Sequence, residues 1–248
     1  MRGLANGGRG NWRFIGVLLL SCLILPLASA KANADGLRVS PTTLEVVAPG
    51  AATALTLINQ GRTPVTVQAR VFRWIQRDGR EFYEPTNDVV VSPPMTQLAP
   101  GTQQAIRVVR TSRQPVQAEE TYRVYIDQIR SRTQGQGGTV SFTSRLRIPV
   151  FFVAPTARPP QVQWSFHGTG AQAVLQARNL GDVRLRIADL RVMAGGSTMI
   201  RQDGLFAYVL GGSVMQWQVG SASTWGAGAL SVKAATNAGD LNVPVARQ

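Results

Sequence analysis

The fold class the sequence predicts is all-β: two immunoglobulin-like β-sandwich domains joined by a short proline-rich linker. Three observations predict it. After residue 36 the chain falls into short runs rich in Val, Ile, Thr and aromatic residues, several with two-residue alternation. Turn signals interrupt these runs about every 8–12 residues, the spacing of a β-sandwich. No stretch after residue 36 holds a helical period with caps.

The first 30 residues stand outside this pattern. Arg2, Arg9 and Arg13 form a basic start without an acid, residues 14–27 are an apolar run, and Ala28-Ser29-Ala30 supplies small residues for cleavage. The run falls short of the about 20 residues a membrane-spanning helix needs. The expectation is a signal peptide over residues 1–30, cleaved on export, with a second small-residue site at Ala32-Asn33-Ala34. Cys22 lies inside the apolar run, which continues through Leu27, so it reads as part of the signal rather than as a lipidation site. Cleavage leaves no cysteine, and the exported chain must rest on its hydrophobic core rather than on disulfides.

The strand runs follow in order. Ala54-Leu55-Thr56-Leu57-Ile58 ends at Asn59-Gln60-Gly61. Val65-Thr66-Val67-Gln68-Ala69-Arg70-Val71 alternates strictly, slips phase at Phe72-Arg73-Trp74, and turns at Asp78-Gly79. Val89-Val90-Val91 runs into Ser92-Pro93-Pro94, where a cis bond is expected at one of the two prolines. Residues 105–109, 122–129 and 140–153 are further strands. A glycine-rich loop, 132–138, precedes the last of them. Ala154-Pro155-Thr156-Ala157-Arg158-Pro159-Pro160 breaks the pattern, since proline cannot donate to a ladder. The domains are therefore expected at 36–154 and 161–248. Strands in the second are expected at 162–166, 173–177, 183–192, 207–210, 214–219 and 229–235. A weak internal repeat links the halves: Asn59-Gln60-Gly61 and Asn179-Leu180-Gly181 each end one strand and precede an alternating one.

Charge and composition narrow the function. The chain has 26 basic and 13 acidic residues, a net +13. Without the three arginines of the signal, 23 basic residues face 13 acidic ones, or +10. These charges are single arginines spread through strands, not a run, and an exported chain does not meet nucleic acid. A lone His167 and no retained cysteine leave no metal set and no nucleophile constellation. The expectation is no enzyme, no cofactor, no metal and no small-molecule substrate. A carbohydrate-binding module would need an exposed aromatic platform. Trp74, Trp164, Trp217 and Trp225 are instead scattered singly and read as core.

The order of elements, together with Val91-Ser92-Pro93-Pro94-Met95-Thr96-Gln97-Leu98-Ala99-Pro100-Gly101, Ile106-Arg107-Val108, Glu120-Thr121-Tyr122-Arg123-Val124 and Ile148-Pro149-Val150-Phe151, resembles the PapD-like pilus (fimbrial) chaperone family. Val67-Gln68-Ala69-Arg70-Val71-Phe72-Arg73-Trp74 is most similar to its archaic, Csu-type branch. The mechanism this resemblance implies is donor-strand complementation, in which a chaperone strand completes an unfinished subunit sandwich. The resemblance further implies a periplasmic chaperone whose partners are pilus subunits and an outer-membrane usher. A structural pilus subunit, or another non-catalytic envelope binding protein, is the alternative. Subunits, however, are smaller single sandwiches that often bear cysteine.

The resemblance also implies two sites. The family's better-known branch holds the subunit's terminal carboxylate with an arginine in the first strand and a lysine in the last strand of domain one. Here those positions are Thr43 and Pro149. The anchor candidates are therefore Arg107, Arg147, Arg123 and Arg145. The lending strand is expected along 139–147, with Val140, Phe142, Ser144 and Leu146 on one face. Alternation alone serves lending and core-filling equally.

Overall fold

In a computed structural model, the structure describes residues 36–129, 144–169 and 171–248. All regular elements among them are strands except one short 3-10 turn, Ala222–Trp225. No helix among the described residues is long and apolar enough to cross a membrane.

Two sheets build the N-terminal domain. The first has the order β1–β3–β8–β6: β1 (Leu37–Ser40), β3 (Ala52–Asn59), β8 (Gln103–Arg110) and β6 (Val89–Ser92). The second runs β2–β10–β9–β4–β5: β2 (Leu44–Val47), β10 (Arg145–Val153), β9 (Glu119–Ile129), β4 (Val65–Arg77) and β5 (Arg80–Pro85). The short β7 (Met95–Leu98) pairs with the first part of β4. Leu55 and Leu57 of β3 and Ile106 and Val108 of β8 face Val67, Val124, Ile126, Val150 and Phe152 across the domain. This is the alternation of an antiparallel sheet that covers one face and wets the other. The bend at Ser92-Pro93 is a cis bond, as expected, and Ser40-Pro41 and Ala48-Pro49 are also cis.

The C-terminal domain has the order β14–β13–β16–β17–β11–β12–β15. Its strands are β11 (Val162–Thr169), β12 (Gln172–Asn179), β13 (Leu185–Ala194), β14 (Ser197–Val209), β15 (Val214–Gln218), β16 (Leu230–Thr236) and β17 (Gly239–Arg247). Only two parallel pairs, Ser165↔Ala246 and Phe166↔Arg247, join β11 to β17. The strands on either side of that seam share one core, with Leu175, Ile187, Leu190, Val192 and Val232 at its centre. Trp74, Trp164 and Trp225 are buried, as expected, and Trp217 packs half-buried against Trp164 at 6.2 Å.

The internal repeat has a structural basis. The Asn59 side chain donates to the carbonyls of Thr63 and Leu98, and its Oδ1 accepts from the Gly61 amide. The Asn179 side chain donates to the carbonyls of Val183 and Val209, and its Oδ1 accepts from the Gly181 amide. Each asparagine is fully buried and closes the same turn in its own domain.

The domains meet through a small core of Trp74, Phe151, Tyr208 and Leu210. Gln76 locks the joint: its Nε2 donates to the Tyr208 carbonyl at 2.9 Å, and its Oε1 accepts from the Leu210 amide at 2.9 Å. Arg184, just before β13, stacks 3.5 Å from the Phe151 ring and donates to both Glu119 and Glu45.

Candidate functional site

The register of the second sheet assembles the site. Even-numbered residues of β4 and odd-numbered residues of β9 and β10 point away from the N-terminal core, because their neighbours fill it. Cross-strand pairing sorts the outward residues into rows. Gln68, Asp127 and Arg145 form one, Arg70, Tyr125 and Arg147 the next, and Phe72, Arg123 and Pro149 the third. Beyond them Trp74 and Phe151 lie under the C-terminal domain. The uncovered part of this face is thus arginines interleaved with aromatic rings.

Three of the four candidate anchors converge here. Arg123 lies directly across the ladder from Pro149, one of the two positions where the resemblance places a basic residue. Its guanidinium carbon sits 3.7 Å from the Trp74 ring and 5.4 Å from the Tyr208 ring. Its Nε is buried without a hydrogen-bond partner, and no carboxylate pairs with it among the described residues. The two rings hold the guanidinium in place while no carboxylate among the described residues compensates its charge, the state suited to receiving a carboxylate. Arg147 is exposed, rests 5.4 Å from the Tyr125 ring, and is likewise unpaired among the described residues.

Arg145 is on the same face but engaged. Its Nε donates to Asp127 at 2.5 Å, and Arg70 donates to the other oxygen of that carboxylate at 2.5 Å. Burial alone would raise the Asp127 carboxyl, but the two arginines outweigh it and hold it below its ordinary value. Arg107 is elsewhere. It lies on β8 between the buried Ile106 and Val108, so it projects from the outer face of the first sheet, on the other side of the sandwich.

Of the expected lending face, Val140 and Phe142 lie outside the described residues. Ser144 is exposed and donates to Gln128. Leu146 is half-buried against the N-terminal core. The expected strand at 140–153 is observed from Arg145. One edge of β10 pairs with β9 throughout, whereas the other meets β2 only from Val150 to Val153. Arg145, Leu146, Arg147, Ile148 and Pro149 therefore present a sheet edge unpaired among the described residues, beside the arginine rows.

Sequence alone singles out neither Asp127, Tyr125 nor Arg70. Their signal is register: once β4, β9 and β10 are aligned, they are the cross-strand neighbours of Arg145 and Arg147.

Residues 36–159 match the family described as pili and flagellar-assembly chaperone, PapD N-terminal domain. No curated protein matches the sequence. Among solved structures, the chain is similar to that of the CsuC–CsuE chaperone–tip adhesion subunit pre-assembly complex of Acinetobacter baumannii Csu pili. The identity is 22%, covering 86% of this chain and 99% of that one, with a TM-score of 0.68. The E. coli chaperone DraB is similar at 19% identity, 84% and 97% coverage and a TM-score of 0.59. The Salmonella enterica SafA pilin–SafB chaperone complex is similar at 18% identity, 85% and 94% coverage and a TM-score of 0.59. With the family model matched across half of its 248 residues, this chain belongs to the PapD-like pilus chaperones.

Proposed function

We propose that this protein is a periplasmic, non-catalytic chaperone of the archaic branch that captures pilus subunits by donor-strand complementation and passes them to an outer-membrane usher. The observation that carries this reading is the juxtaposition of a sheet edge, Arg145 to Pro149 on β10, with the guanidinium of Arg123 beside the Trp74 ring, both unpaired among the described residues. An edge supplies backbone hydrogen bonds to any sequence in extended form. A fixed guanidinium supplies a charge-assisted terminus for it. Arg123 and Arg147 are the anchors in this account, because Asp127 engages Arg145 and Arg107 lies across the sandwich. Val140, Phe142, Ser144 and Leu146 remain the face to be lent, Leu146 marking its end at the domain's own core. Residues 1–30 are the cleaved signal, and 36–154 and 161–248 the two domains.

The test is to co-express the chain with pilus subunits encoded beside it. Arg123→Ala and Arg147→Ala should fold normally and lose most capture. Normal capture by both variants would remove the carboxylate anchor from the account.

A further inference from the structure

Four arginines share the outer face of the second sheet, yet two of them are held by one internal carboxylate. Asp127 is mostly buried, with 14% of its side chain exposed, whereas Arg70 and Arg145 on either side are 42% and 48% exposed. Gln68, Arg70, Asp127, Arg145 and Arg147 line a single shallow depression. Neighbouring rows on one sheet face are about 7 Å apart, two residues along the strand. Arg70, Arg145 and Arg147 thus form a compact cationic cluster. The Phe72, Tyr83 and Tyr125 rings lie among them, with Phe72 and Tyr83 at 4.9 and 5.7 Å from Tyr125. Basic residues interleaved with aromatic rings also suit polyanions, which bind through counterion release with little regard for sequence. On a mature chain that carries +10 once the three signal arginines are removed, such a face would collect anionic polymers.

We propose that Asp127 is a specificity-determining residue: it occupies Arg70 and Arg145 from within, so that this face takes a single carboxylate and rejects polyanions. This rests on the reading of the face as the subunit's docking surface. The physical argument is competition. A polyanion must share each of these guanidiniums with a carboxylate that already hydrogen-bonds it, which an isolated terminal carboxylate need not do, because no carboxylate pairs with Arg123 or Arg147 among the described residues. The site therefore discriminates by what it withholds as well as by what it offers.

The experiment uses the folded mature chain and a short DNA duplex, purely as a polyanion probe, titrated at several salt concentrations. Each phosphate contact contributes about 0.9 to the slope of log K against log salt. Asp127→Asn should bind the duplex more tightly and steepen the slope by about one to two contacts. Asp127→Glu, which keeps the carboxylate, should retain the wild-type slope. Arg145→Gln, which leaves Asp127 paired with Arg70, should also retain it, because Arg145 is already engaged. An unchanged slope in a folded Asp127→Asn protein overturns the proposal. A reduced slope in Arg145→Gln does the same, and decides the matter if Asp127→Asn fails to fold. No subunit enters this measurement, so its outcome is separate from that of the capture test.

Discussion

Arg184 of the C-terminal domain and Glu119 of the N-terminal domain are joined twice: the Arg184 backbone amide donates to Oε1 at 2.9 Å, and its guanidinium donates to Oε2. The two residues stand 65 positions apart, and the Glu119 side chain is only 1% exposed. The same guanidinium reaches Glu45 and stacks on Phe151. This pair, Gln76 and the Trp74–Tyr208 contact hold the interdomain joint beside the arginine rows.

Arg184→Met should destabilise the protein by about 3–5 kcal/mol, because it strands a buried carboxylate without its partner. For a chain of this size, that is a fall in melting temperature of about 6–20 °C. Thermal unfolding of the variant checks it, and a fall of a degree or less would mean the joint does not depend on this pair.

Stability should depend on pH through Glu119 with a definite sign. Burial pushes its carboxyl above the ordinary value, and Arg184 only partly offsets this. The folded state then holds the proton more tightly than the unfolded state, so stability falls as pH rises through the raised pKa. Relative to wild type, Glu119→Gln should gain stability over that window and level off above it. Asp182 has the opposite sign: hydrogen bonds from Arg158 lower its carboxyl to about 2, so its contribution is lost progressively as pH falls from the ordinary aspartate range through that value. Denaturant midpoints from acid to neutral pH, wild type against Glu119→Gln, give the slope. An identical slope would place the raised carboxyl elsewhere.

Asn59→Ala and Asn179→Ala should each cost about 1–3 kcal/mol, since each leaves buried carbonyls and an amide without partners. The effects should be of similar size in the two domains, because the two turns are built alike. Urea titration of both variants compares them, and a loss confined to one would mean the resemblance of the turns is not energetic.

These asparagines also mark how far the sequence could be read. Asn-x-Gly stands out because a strand end needs turn chemistry there, and the buried side chain repeats the same bonds in both domains. The phase slip at Phe72-Arg73-Trp74 was equally visible, but its cause was not. Trp74 and Gln76 lie on the outward face of β4 and are buried only because the C-terminal domain covers them. The strand β5 left no signal, since most of its residues are exposed and its alternation is absent. The site was half legible. Arg123, Arg145 and Arg147 were found one by one, whereas their division into free and engaged cations depends on Asp127, and therefore on register. Arg184 was beyond reach, because its carboxylate partners are 65 and 139 residues away.

Capture of a subunit tests the central claim most directly. A pilus subunit that aggregates alone should elute with this chain as a stable 1:1 complex in size-exclusion chromatography, and amide exchange should slow along the β10 edge from Arg145 to Ile148. A subunit that still aggregates in the presence of the folded chain, or a complex that leaves that edge unprotected, would contradict the account.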